Sequence, residues 1–259
     1  MKLEPRAAAA GVRLVAHEVL GSTNAEALNL ARRGERGPLW VTAGRQSAGR
    51  GRRGRAWISE PGNLYASLLL TCSVPARHAP ELSFVAALAV YDAVIAVAAR
   101  LQPLLAIKWP NDLLLARAKF SGILIEGEGG ETGAFAVGIG VNCANHPATA
   151  DYPATSLAAA GTPVSPATLF TALSLKMLER IAQWGAGARF SSIRADWLAR
   201  AAGVGEAVRV RLADREIVGR FEALDQAGGL VVRLADGGAT TIAAGDVLLP
   251  APSAAGMAG

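Results

Sequence analysis

Cysteine is nearly missing from this chain. Cys72 and Cys143 are the only two, both in apolar, strand-like contexts, which excludes a disulfide framework and a cysteine-based zinc site. Histidine is as scarce: His17, His78 and His146 stand too far apart for metal-ligand spacing. Aromatic residues make up 5% of the 259 positions and charged residues 18%, against 51% hydrophobic. That apolar supply fills a core and argues against a disordered chain. The opening "MKLEPRAAAAGVRL" lacks a continuous apolar stretch of signal-peptide length. The longest apolar run, "FVAALAVYDAVIAVAARL" (84–101), carries Asp92 and an arginine near its end, so it reads as a buried helix rather than a membrane span. A cytoplasmic protein without membrane association is the expectation.

Surplus positive charge is also missing from most of the chain. The net charge of +5 comes from 26 Lys+Arg against 21 Asp+Glu. Arg45, Arg50, Arg52, Arg53 and Arg55 supply that surplus within one stretch that holds no acid. Elsewhere the charges balance, which argues against the broad basic footprint of a nucleic-acid binder. Lysine is rare as well: Lys2, Lys108, Lys119 and Lys176 are the only four. A chain that prefers arginine keeps a compact ammonium in "KWPND" and in "KFSGIL", where a localised charge can meet a carboxylate or phosphoryl oxygen.

What is present reads as alternating strands and helices. A strand at 12–20 leads to a helix in which Thr23 and Glu26 form a capping box and Gly34 closes the end. Strands follow at 39–44 and 63–74, then a long helix over 80–101 and a strand at 104–109. "DLLLARAKFSGILIEGEG" reads as a hairpin, "GAFAVGIGVNC" (133–143) as a buried strand, and 144–166 as a long mobile segment. Helices are expected near 167–184 and 190–201. From 204 to 250 short alternating strands with Ala-Asp, Gly-Gly and Asp-Gly turns suggest a small β-barrel-like domain. Residues 1–203 form the main domain in this reading, and 251–259 a flexible tail.

Gly49, Gly51 and Gly54 match G-x-G-x-x-G, but "RAWISEPGN" follows where a dinucleotide fold needs a helix, and no acid stands at the ribose position. A Walker loop is absent. Trp57 is the only aromatic residue beside the arginines, too few for a stacking platform. Arginine forks interleaved with glycine between two strands suit convergence on one small anion.

Together, "GSTN" (21–24), "QSAGRGRRGRAW" (46–57), "KWPNDLLL" (108–115), "KFSGIL" (119–124) and "GIGVN" (138–142) resemble biotin protein ligases over nearly the whole chain. The resemblance implies an α/β catalytic domain with a mixed sheet like that of class II aminoacyl-tRNA synthetases, and a small C-terminal SH3-like β-barrel. It implies an ATP-dependent ligase that makes biotinyl-5′-AMP and passes the biotinyl group to a lysine of a biotin carboxyl carrier domain. A lipoate ligase of the same fold is the nearest alternative; a nucleic-acid module using loop 45–55 is the alternative of another class.

By motif match, Ser22, Thr23, Asn24, Gln46 and the Arg50-Gly51-Arg52 backbone belong at biotin. Arg52 and Lys119 are the catalytic candidates, Lys119 at the biotin carboxylate and the developing phosphoryl charge. Arg52 and Arg53 clamp phosphate, with Arg50 and Arg55 ordering the loop. Trp57 either packs on adenine or belongs to the core. Lys108, Asn111 and Asp112 bind nucleotide or metal or fix their loop, and Asn142 meets the nucleotide or caps the strand end. Segment 144–166 is the candidate for closing over the adenylate. Magnesium is expected with ATP, with no dedicated protein site.

Two departures from the family pattern matter. Family members that repress transcription carry an N-terminal helix-turn-helix domain; too few residues precede the first strand for one, so no sequence-specific DNA binding is expected. Ser121 replaces a small apolar residue. The sequence leaves open whether two copies pair as a homodimer.

Overall fold

A computed structural model describes residues 1–71, 76–128, 133–148 and 152–249. The chain runs α1 (Pro5–Ala9), β1 (Arg13–Leu20), α2 (Thr23–Arg32), β2 (Leu39–Gln46), β3 (Leu64–Thr71), α3 (Glu81–Val97), β4 (Leu105–Lys108), β5 (Asp112–Leu115), β6 (Ala118–Glu128) and β7 (Ala134–Val141). Then come α4 (Pro166–Trp184), α5 (Phe190–Leu198), β8 (Ala207–Arg211), β9 (Glu216–Leu224), β10 (Leu230–Arg233), β11 (Ala239–Ile242) and β12 (Asp246–Leu248). Strands β1 to β7 form one sheet in the order β1-β2-β3-β7-β6-β5-β4, in which β1 and β2 are parallel and the other neighbours antiparallel. The last five strands form an antiparallel sheet, β11-β10-β9-β8-β12. This is the mixed α/β architecture with a small β-sheet unit that the motifs implied.

The two faces of the large sheet are used differently. Leu64, Ala66, Leu68 and Leu70 of β3 join the main core with α3, α4 and α5, a core that continues into Val208, Val210 and Phe221 of the small sheet. Helix α3 is apolar around most of its circumference and accordingly buried over most of its length. On the opposite face α2 packs through Ala27 and Leu28 against Leu39, Val41, Leu69 and Ala136. Beyond α2 that face carries Ser67, Gly138, Gly140 and Gly122 beside Tyr65 and Leu124.

Local signals explain most boundaries. Ser165 caps α4 by accepting from the Thr168 N–H, Pro166 takes the first turn, and Gly185 ends the helix in the left-handed region at φ +60°. Several expected boundaries move, among them the end of α5, at Leu198 rather than 201. Helix α3 stops at Val97 rather than 101, because Pro103 cannot continue an α-helix and the chain tightens into 3₁₀ turns over Ala99–Leu104. Thr23 does not cap α2; Ser22 does, accepting from the Ala25 N–H, which frees the Thr23 hydroxyl to point sideways. Cys72 and the tail 251–259 lie outside the described residues. Cys143 is buried and free, and burial pushes its thiol up to about 12, so it stays protonated and inert near neutral pH.

A candidate active site on the glycine face

The site begins with three glycines. In the β3-β7-β6 ladder, Ser67 lies opposite Gly138 and Gly138 opposite Leu124, while Tyr65 lies opposite Gly140 and Gly140 opposite Gly122. Residues directly opposite share a face, so Gly122, Gly138 and Gly140 make a floor without side chains. A Cβ on Gly138 would stand 2.4 Å from Asn24 Oδ1, and one on Gly140 would stand 2.6 Å from the Trp57 ring. Asn24 and Trp57 therefore lie directly on the floor, about 7 Å apart along one strand, since their glycines are two residues apart.

Around Asn24 the polar groups close on one another. Gln46 Oε1 accepts from the Thr23 N–H at 2.8 Å and lies 3.1 Å from Thr23 Oγ1, while Gln46 Nε2 donates to Ser59 Oγ at 3.0 Å. Ser67 Oγ lies 2.7 Å from Thr23 Oγ1 and 2.6 Å from Asn24 Oδ1, and its single proton serves one of them. Asn24 Nδ2 donates to Glu126 at 2.8 Å, and Arg50 donates to both oxygens of the same carboxylate. Glu126 thus ties the arginine loop to the start of α2. Ser59, Ser67 and Glu126 were not singled out from the sequence. A serine inside the apolar run "LYASLLLT" is the one signal that could have pointed to any of them.

The second cluster is charged. Lys119 Nζ lies 2.6 Å from Asp112 Oδ1 and Lys108 Nζ lies 3.6 Å from Asp112 Oδ2. The Lys119 contact is charge attraction with poor alignment, so Oδ1 makes no hydrogen bond among the described residues. A β-bulge creates this meeting. Leu114 lies opposite Lys119 but Leu113 lies opposite Ser121, so Phe120 is the extra residue. The inserted residue breaks the two-residue alternation and puts Lys119 on the same face as Gly122 and Asp112. Trp57 lies over this end of the floor, its ring centroid 5.5 Å from Lys119 Nζ, and its Nε1 has no acceptor among the described residues.

The arginine loop joins both clusters to the small sheet. Arg52 Nη1 donates to Asn111 Oδ1 at 3.0 Å and the same guanidinium reaches the Gly245 carbonyl. Asn111 in turn donates to the Ile123 carbonyl. Burial pulls the Arg52 pKa below its ordinary value, with Asp246 and Asp112 opposing; a guanidinium that starts so high stays charged. Arg52, Arg53 and Arg55 all face the Asp246 carboxylate, at 3.8, 3.5 and 3.0 Å. The expected phosphate clamp is therefore held, in this structure, by an acid of the small sheet that the sequence reading did not assign. Gly51 shapes the turn by donating to the Arg55 carbonyl.

Asn142 is buried and works on the backbone. It donates through Nδ2 to the Thr155 carbonyl, and its carbonyl accepts from Leu157. Residues 153–155 run beside β6, with the Lys119 N–H donating to Pro153 and the Thr155 N–H donating to Lys119. The expectation of a loose 144–166 segment thus gives way, over 152–162, to a stretch pinned by backbone hydrogen bonds and anchored by the fully buried Leu157; 149–151 lie outside the described residues. Among the described residues no group of three or more His, Cys, Asp or Glu is arranged to hold a metal ion, and no helix is long and apolar enough to cross a membrane.

Comparison with known proteins matches both halves of this arrangement. Residues 17–143 match the model of the biotin/lipoate A/B protein ligase family, and residues 203–249 that of the biotin protein ligase C terminal domain. The chain is 44% identical over 223 residues to the biotin--[acetyl-CoA-carboxylase] ligase of Paracoccus denitrificans, covering 82% of this chain and 90% of that one. It is 34% identical over 237 residues to the bifunctional ligase/repressor BirA of Bacillus subtilis, covering 88% and 71%. Among solved structures, the Aquifex aeolicus biotin protein ligase in complex with biotin and ATP aligns with a TM-score of 0.77 at 25% identity, over 92% of this chain and 98% of that one. The Leishmania major biotin protein ligase in complex with biotinyl-5-AMP aligns with a TM-score of 0.65 at 26% identity, over 90% and 99%.

Proposed function

The chain belongs to the biotin/lipoate A/B protein ligase family, and on that premise we propose how its glycine-floored site works as an ATP-dependent biotin–[acetyl-CoA-carboxylase] ligase. In the first step a biotin carboxylate oxygen attacks the α-phosphorus of ATP and pyrophosphate leaves, giving biotinyl-5′-AMP. In the second the ε-amine of a carrier lysine attacks the acyl carbon, the acyl–oxygen bond breaks, AMP leaves and the amine gives up a proton. The observation that carries this reading is the Lys119 ammonium, 2.6 Å from Asp112, at one end of a floor whose other end is lined by the Thr23 and Ser67 hydroxyls and the Asn24 and Gln46 amides.

The division of labour follows from chemistry. The polar end suits the ureido ring of biotin, whose carbonyl accepts and whose N–H groups donate. The carboxylate tail then extends from Asn24 past Trp57, the two side chains that cover Gly138 and Gly140, toward Lys119. Two anions must approach each other there, and a fixed cation aimed at the developing charge lowers that barrier. Arg52 and Arg53 hold the phosphate side, and Lys108, Asn111 and Asp112 keep Lys119 and Arg52 in register. Trp57 walls the same space, and Asn142 acts through the segment it pins. Arg52 and Arg53 would share the ATP phosphates with magnesium, which would supply further positive charge there. The acceptor is the biotin carboxyl carrier domain of a biotin-dependent carboxylase.

Biotin-dependent exchange of radiolabelled pyrophosphate into ATP tests the first step. Exchange with biotin and none with lipoate is the expected result; exchange with lipoate alone would move the chain to the sister activity. Gly140→Ala tests the floor. The new Cβ meets the Trp57 ring at 2.6–2.8 Å, so the ring must lift. The KM for biotin in exchange is expected to rise roughly tenfold or more, in line with overpacking penalties. An unchanged KM would mean that Trp57 does not border the biotin path.

A further inference from the structure

The ammonium of Lys119 is approached by a second ring, and that ring comes from a residue with no assigned role. Tyr152 places its ring centroid 5.0 Å from Lys119 Nζ, beside the 5.5 Å contact from Trp57. Its placement is not left to a loose loop. The next residue, Pro153, accepts from the Lys119 N–H, and Thr155 donates back to the Lys119 carbonyl. The chain carrying the ring is therefore hydrogen-bonded to the same residue whose side chain the ring faces. Asn142 holds Thr155, Leu157 donates to Asn142 and Ala158 donates to Cys143, which locks the segment to the end of β7.

We propose that Tyr152 is a positioning residue for Lys119, acting through the face of its ring; this rests on the proposed adenylation reaction. An ammonium that must hand its charge to an incoming carboxylate and phosphoryl oxygen cannot be fully committed to a permanent counter-ion. Asp112 supplies one full negative charge. A second carboxylate in the place of Tyr152 would neutralise Lys119 further and repel both substrates. An aromatic face attracts a cation by its quadrupole while adding no net charge, so it can fix the direction of Nζ and leave its charge available. With both rings near it and its side chain 14% exposed, the ammonium meets little water, and the same attraction is stronger there than in bulk solvent.

The test uses three substitutions in the full-length protein. Tyr152→Phe keeps the face and loses the hydroxyl, Tyr152→Leu keeps apolar bulk and loses the face, and Tyr152→Ala loses both. Biotin-dependent pyrophosphate exchange and the melting temperature are measured for each. The expected pattern is Phe near the parent, with Leu and Ala both reduced about tenfold in kcat/KM for biotin, the size of one partly desolvated cation–π contact, and all three melting close to the parent. Leu equal to Phe would overturn the proposal, because bulk alone would then suffice. Phe as weak as Ala would also overturn it, because the hydroxyl would then carry the effect. A parent protein with no exchange at all would remove the reaction reading itself, and the Tyr152 role with it.

Discussion

Replacing Lys119 with alanine is expected to slow biotinyl-adenylate formation by roughly 10²–10³-fold, the range for losing one preorganised charge-stabilising group, while the protein remains folded. The size follows from position. Lys119 is nearly buried, with 14% of its side chain exposed, and stands where the bulge turns it onto the glycine face. Among the described residues no other cation is pointed there with the same constraint: Lys108 is 3.6 Å from the far oxygen of Asp112, and Arg52 is held by Asn111 and Gly245. The substitution also strands part of the Asp112 charge, which costs about 1–3 kcal/mol when a buried polar group loses a partner. Stability and chemistry can therefore be separated. The double variant Lys119→Ala with Asp112→Asn should regain much of the melting temperature and none of the exchange activity. Activity that survives in Lys119→Ala while the melting temperature falls would make the lysine a structural partner of Asp112 and nothing more.

Much of this site was legible because its residues are punctuated by strong local signals. "KWPND" breaks a strand where β4 ends at Lys108 and β5 begins at Asp112. The two strands after it were visible as a hairpin, and the change of pattern after residue 203 marked the small sheet. Other features were hidden for identifiable reasons. The bulge at Phe120 is a matter of register, and nothing in "AKFSGILIE" distinguishes a regular hairpin from one with an extra residue. The capping box suggested by Thr23 and Glu26 obeys the local rule, but the buried hydroxyls of Gln46's neighbourhood compete for Thr23 and leave Ser22 to cap. Tyr152 and Asp246 were invisible for a third reason. Each acts on a residue far away in sequence, Tyr152 through backbone pairing beside β6 and Asp246 through the packing of the small sheet on the arginine loop.

That packing is what makes Arg52→Gly the other large effect. The loop already contains Gly49, Gly51 and Gly54, so a fourth glycine removes the side chain that ties it to Asn111 and to the Gly245 carbonyl. Charge and order are lost together. Biotinyl-AMP formed without carrier is expected to escape and hydrolyse about a hundredfold faster, because a half-buried guanidinium on a phosphate contributes on the order of 2–3 kcal/mol. Two companions separate the causes. Arg52→Lys keeps a charge but not the planar fork, so it should retain the adenylate less well than arginine and better than glycine. Asp246→Asn leaves every arginine in place but removes the carboxylate that three of them face. Its expected loss of retention is smaller, of the same sign, because the exposed pairs of Arg53 and Arg55 contribute little singly and the Asn111 bond remains. Leakage unchanged in Arg52→Gly would show that the phosphate is held elsewhere. Leakage that falls in Asp246→Asn would mean that the small sheet competes with the adenylate for the arginines instead of presenting them to it.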